Sequence, residues 1–129
     1  MVRLDAQAFE DAVTRHFVFL CDELGFERST SRGDLGSLVK FSSGQVVVDL
    51  FFSTRTYELE TYIGLAGRGR EFQFPLEWLV GKPSWSWGLA QNREDLEIQV
   101  QKVAQFLLKH GTLALQGDRA TFQRLAANR

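Results

Sequence analysis

The spacing of apolar residues changes period twice along the chain. From Asp5 to Leu24, Phe9, Val13, Phe17, Leu20 and Leu24 recur every three or four residues, which is the repeat of one helical face. Asp5 is suited to cap that helix, and Gly25 to end it, because glycine takes positive φ without steric cost. Between Val39 and Ala66 the period falls to two. Two candidate turns, Ser43-Gly44 and Thr54-Arg55, divide this stretch into three strand-like runs. In the last run Tyr57, Leu59, Ile63 and Leu65 alternate with Glu58, Glu60 and Tyr62, which predicts a dry face and a wet one. The middle run is apolar on both sides, Val46, Val48, Leu50 and Phe52 against Val47 and Phe51, and so reads as the central strand. A fourth strand fits around Phe26 to Thr30, ahead of the polar turn SRGD.

If both turns are two-residue loops, a register follows. Phe52 pairs with Tyr57, Leu50 with Leu59 and Val48 with Thr61, while Phe41 pairs with Val46 and Val39 with Val48. All dry faces then coincide, an agreement that a one-residue slip would destroy. Beyond Gly67 the helical period returns. Pro75 suits the first position of a short helix that turns Leu76, Leu79 and Trp78 inward. Asn92 can cap a helix running to Lys109, with Asp95 as the acidic partner of a capping box and Leu96, Val100, Val103 and Leu107 as its seam. A last helix starts at Asp118 and buries Phe122 and Leu125. The prediction is one α+β domain over residues 1–129. It has an antiparallel meander of three to four strands, with the N-terminal and C-terminal helices on one face.

Composition narrows the function. The chain has 129 residues, 44% hydrophobic and 24% charged, as in an ordinary globular domain. Its 11 phenylalanines against 2 tyrosines favour burial over ligand contact. A formal charge of −1 gives no footprint for nucleic acid or a membrane surface. No apolar run approaches the ~20 residues of a bilayer span, and the acidic, amphipathic N-terminus is unlike a signal peptide. The lone Cys21 excludes an intramolecular disulfide. A cytoplasmic protein without cofactors is expected, and the excess of arginine over lysine hints at a bacterial source.

Chemistry is sparse. In the register above, Asp49 and Glu60 lie directly opposite on the wet face, where like charges are mildly destabilising. Either the pair binds a cation or shares a proton, as a small metal- or ligand-dependent enzyme would require, or it belongs to a solvated face with Lys40 on the diagonal. The solvated face is the simpler account. His16 and Cys21 point away from each other on the helix and cannot form a nucleophilic pair locally. His110 suits the C-terminal end of a helix dipole. Gly67-Arg68-Gly69-Arg70 lacks the spacing of a phosphate-binding loop. In Ser84-Trp85-Ser86-Trp87 both indoles of an extended segment face the same way. They either anchor a partner or fold over the end of the sheet, and burial of at least one ring is the expectation.

Four stretches together resemble small bacterial α+β proteins of the kind found as immunity proteins beside polymorphic toxins. They are LCDELGF, VKFSSGQVVVDLFFSTRTYELETYIG, FPLEWL and LLKHGTLALQGDRATFQRL. The resemblance implies a non-enzymatic protein that binds a toxin and blocks it. The expected partner is another protein. The candidate contact surface comes from the wet sheet face, with Asp49, Glu58, Glu60 and Tyr62, and from the loop of Trp85 and Trp87; the resemblance itself assigns no residues. A homodimer through Phe51 and a sheet edge is a further option.

Overall fold

The computed structural model describes residues 4–81, 83 and 86–129, with Arg70 as backbone only. Asp5 caps the first helix, α1 (Ala6–His16), its carboxylate accepting from the Ala8 N–H at 2.9 Å. The helical face does not run unbroken to Leu24. Phe17, at φ −110° and ψ 10°, separates α1 from the short α2 (Val18–Asp22), and Leu24 is exposed. The break leaves Phe9, Val13, Phe17 and Leu20 all fully buried.

Five antiparallel strands follow in the order of the chain: β1 (Glu27–Gly33), β2 (Gly36–Ser42), β3 (Val46–Ser53), β4 (Leu59–Leu65) and β5 (Gln73–Pro75). This is the predicted meander with one strand more. β1 continues through Ser31-Arg32-Gly33 instead of turning there, and the turn falls on Asp34-Leu35. β5 is three residues long, too short to show a period, and its Pro75 sits on the sheet edge where a missing N–H is tolerated. Gly64 makes room for it, since a Cβ there would lie 2.6 Å from the Phe72 carbonyl oxygen.

Both predicted registers are displaced by two residues. Phe41 pairs with Val48 and Val39 with Leu50, because the turn residues are Gly44-Gln45 and not Ser43-Gly44. Gly44 takes the positive φ, 89°, at the first central position, and the Ser43 N–H closes the loop onto the Val46 carbonyl at 3.0 Å. On the other side Phe52 pairs with Leu59, Leu50 with Thr61 and Val48 with Ile63. That loop has four residues, Thr54 to Tyr57. Tyr57 takes φ 60° in it, and the Ser53 hydroxyl accepts from the Arg55 and Thr56 N–H groups. Moving a turn by one residue moves the register by two. The error therefore keeps its parity, and every side chain stays on its predicted face.

The dry face, with Phe41, Val48, Leu50, Phe52, Leu59 and Ile63, is buried together with Phe9 and Val13 of α1, Leu20 of α2 and Phe17 between them. Phe9 stacks on Phe52 at 5.5 Å between ring centres, and Phe17 on Phe41 at 5.8 Å. The long helix α3 (Arg93–His110) lies against α1 and buries its predicted seam, Leu96, Val100, Val103 and Leu107. Asn92 caps it by accepting from the Asp95 N–H, while Asp95 accepts from the Gln91 N–H. Glu97 of α3 ties the two helices together through Arg15 and His16. Two short helices close the fold, α4 (Thr112–Leu115) and α5 (Arg119–Ala127), the latter capped by Asp118 as predicted. Before α3, Leu76–Val80 forms a 3-10 helix that buries Leu76 and Leu79 and leaves Trp78 half-buried.

Candidate functional site on the outer face of the sheet

Helices cover one face of the sheet. The other carries Leu38 and Lys40 of β2, Val47, Asp49 and Phe51 of β3, Glu60 and Tyr62 of β4, and Gln73 of β5. At its centre Asp49 is only 8% exposed. Its Oδ2 accepts from Gln73 Nε2 at 2.5 Å, and its Oδ1 is buried with no hydrogen-bond partner. Burial raises the Asp49 pKa above its ordinary 3.8, against the opposing pull of Lys40 and the Gln73 amide. Asp49 and Glu60 are not the directly opposed pair of the predicted register. Asp49 faces Tyr62 on one side and Lys40 on the other, and Glu60 faces Phe51, so the two carboxylates are diagonal neighbours. Glu60 is not among the causes of the Asp49 shift.

Two adjoining clefts share Glu60 and Tyr62. One, of about 440 Å³, is lined by Leu38, Asp49, Phe51, Glu60, Tyr62 and Gln73. The other, of about 510 Å³, opens along the outer edge of β4, between its pairing with β5 at Tyr62–Gly64 and the bridge from Glu58, just ahead of β4, to Leu89. Glu58, Glu60 and Glu77 line it. Glu77 projects from the 3-10 helix, and its Oε1 is a second buried carboxylate oxygen without a partner. Burial raises the Glu77 pKa from 4.5, a hydrogen bond from Thr61 lowers it, and the charge of Glu60 adds to the rise. The Tyr62 hydroxyl, 3.5 Å from Glu60 Oε2, is also raised above its ordinary 10.0, by burial first and then by that carboxylate. Four carboxylates line these two clefts, and Lys40 borders the adjoining hollow beside Asp49.

Trp87 belongs to the opposite layer. Its indole N–H donates to Thr61 Oγ1 at 2.7 Å, and its ring meets Phe106 of α3 edge-on at 5.5 Å. Thr61 lies on the dry face and is 3% exposed, so Trp87 seals the end of the core beside α3. Trp85 lies outside the described residues. The structure thus brings Asp49, Glu58, Glu60 and Tyr62 together and sets Trp87 apart from Asp49. Gln73 and Glu77 complete the site, and neither carries a signal in its own sequence neighbourhood.

The remaining candidates are accounted for within the fold. His16 Nε2 lies 2.8 Å from Glu97 Oε1, Cys21 is half-buried against the core, and the His110 ring packs on Phe106 at 4.8 Å. Among the described residues no group of three or more His, Cys, Asp or Glu side chains is placed to hold a metal ion. No described helix is long and apolar enough to cross a membrane. Comparison with known proteins gives no match to a family model, a curated protein or a solved structure.

Proposed function

We propose that this protein is a non-enzymatic protein-binding module, an immunity-type inhibitor of bacterial origin that works in the cytoplasm and docks its partner on the outer face of the sheet. One observation carries the reading. The face left bare by the helices is neither a solvated polar surface nor an enclosed pocket. It is a shallow acidic surface with half-buried apolar side chains, Leu38, Phe51 and Tyr62, set among carboxylates. Broad, shallow, mixed surfaces of this kind suit macromolecular partners, whereas small-molecule sites are concave and mostly enclosed. The resemblance of the four sequence stretches to immunity-type proteins supports the same reading, as does the scarcity of nucleophile and base constellations in the sequence.

The test compares the tagged protein with its Glu58→Lys/Glu60→Lys double variant in capture from lysate of the source cells, read by mass spectrometry. Both glutamates are exposed, so the variant keeps the wild-type melting temperature. A protein held at one-to-one by the wild type and lost from the variant supports the proposal. A partner held equally by both sinks the sheet face as the contact surface.

A further inference from the structure

The two clefts share a chemical imbalance. Three buried side-chain atoms among the described residues lack a hydrogen-bond partner, and two of them, Asp49 Oδ1 and Glu77 Oε1, are carboxylate oxygens of the two clefts. Between them stand Glu60 and the ring of Tyr62, which belong to both. Among the described residues the site is rich in acceptors and negative charge and poor in donors. Asp49 is the decisive residue, because a carboxylate more than nine-tenths buried loses most of its hydration, and one of its oxygens has nothing in exchange. Lys40 of β2 is the direct cross-strand partner of Asp49, yet forms no ion pair with it within 4.0 Å among the described residues.

A ligand that corrects this imbalance brings N–H donors and positive charge, and it must accept apolar walls. An ammonium ion is strongly hydrated and fits poorly between Leu38, Phe51 and Tyr62. A guanidinium is planar, weakly hydrated, carries five donors and stacks on aromatic faces. It can donate to Asp49 and Glu60 together, since diagonal positions on a sheet face lie roughly 7–8 Å apart, within the span of one forked cation and its two bonds. We infer that the notch formed by Asp49, Glu60, Phe51 and Tyr62 receives an arginine side chain of the partner protein. This rests on the outer face being a protein-docking surface. Asp49 Oδ1 is buried, so the incoming cation reaches the carboxylate by taking the place of the Gln73 amide on Oδ2, a donor that comes from the short edge strand β5. One neutral amide donor is exchanged for a charged fork.

The probe is N-acetyl-arginine amide titrated into the ¹⁵N-labelled protein, with N-acetyl-lysine amide as the control. Saturable shifts are expected at the Asp49, Glu60, Tyr62 and Gln73 amides, with the lysine compound weaker. Asp49→Asn keeps the shape and removes the charge, and it should weaken binding about tenfold or more, as the loss of a charged hydrogen bond does. Gln73→Ala removes the competing amide and should strengthen binding about threefold. No saturable shifts, shifts centred on the helices, an unchanged Asp49→Asn or a weakened Gln73→Ala would each overturn the inference. The two readings fail separately. If the outer face docks a partner by other contacts, the double glutamate variant still loses that partner while the arginine compound gives no shifts.

Discussion

The two faces of one sheet, made from alternate residues of the same strands, do opposite things. On the inner face Phe52 is fully buried, stacked on Phe9 and closed over by helices. One residue earlier Phe51 stands half-exposed on the outer face beside Glu60. The carboxylates differ in the same way. Glu97, on the helix side, has Arg15 and His16 as partners and a pKa lowered to about 2. Asp49, on the bare side, is more deeply buried, has one amide donor, and is shifted upward. The inner face is arranged for stability, with its aromatic rings stacked and Glu97 paired by the fold. The outer face leaves groups unsatisfied, and a fold tolerates that where something else completes them.

That contrast predicts a graded set of outcomes. The largest is in the core: Phe52→Ala should cost about 3–5 kcal/mol of stability, whereas Phe51→Ala should stay within about 1 kcal/mol. Chemical denaturation of both variants measures the difference, and equal losses would mean the outer face is covered. Next is Trp87→Phe, which keeps an aromatic ring edge-on to Phe106 but removes the bond to buried Thr61. It should cost about 1–2 kcal/mol, which would place Trp87 with the inner layer and not with the docking surface.

The smallest effect is in pH dependence, and its sign separates the faces. Glu97 has a folded pKa below its unfolded 4.5, so its stabilisation is present above pH 4.5 and is lost as pH falls towards about 2. Glu97→Gln should therefore flatten the acid limb of the stability profile. Asp49 is shifted the other way. Below its unfolded 3.8 both states are protonated and it contributes nothing. As pH rises from there the unfolded carboxyl ionises first, and stability declines until the folded pKa is passed. Asp49→Asn should thus match the wild type at low pH and exceed it at neutral pH. A variant less stable than the wild type at neutral pH would mean that Asp49 is satisfied within the fold.

Much of the architecture was legible because it rests on local rules. Asp5, Asn92 and Asp118 cap the helices they were expected to cap, each accepting from a backbone N–H three residues on. The α3 seam and the dry face of the sheet follow from side-chain period alone. The turn positions did not follow. Ser43-Gly44 and Gly44-Gln45 are both plausible two-residue turns, and only the φ of Gly44 at the first central position decides between them. The candidate site was half legible. Asp49, Glu58, Glu60 and Tyr62 share a face by parity, whereas Gln73 and Glu77 arrive from a segment with no period long enough to read.

By itself the sequence determined which residues face the core, because helix and strand periods are properties of a few neighbouring residues and survive an error of two in register. Tertiary structure decided what each polar group on the far face meets. Whether Asp49 faces Glu60 or Tyr62, and whether a donor reaches each of its oxygens, depends on strand offset and on which distant segment closes the edge of β4. Parity tolerates a shift of two residues. A hydrogen bond, which weakens within an ångström, does not.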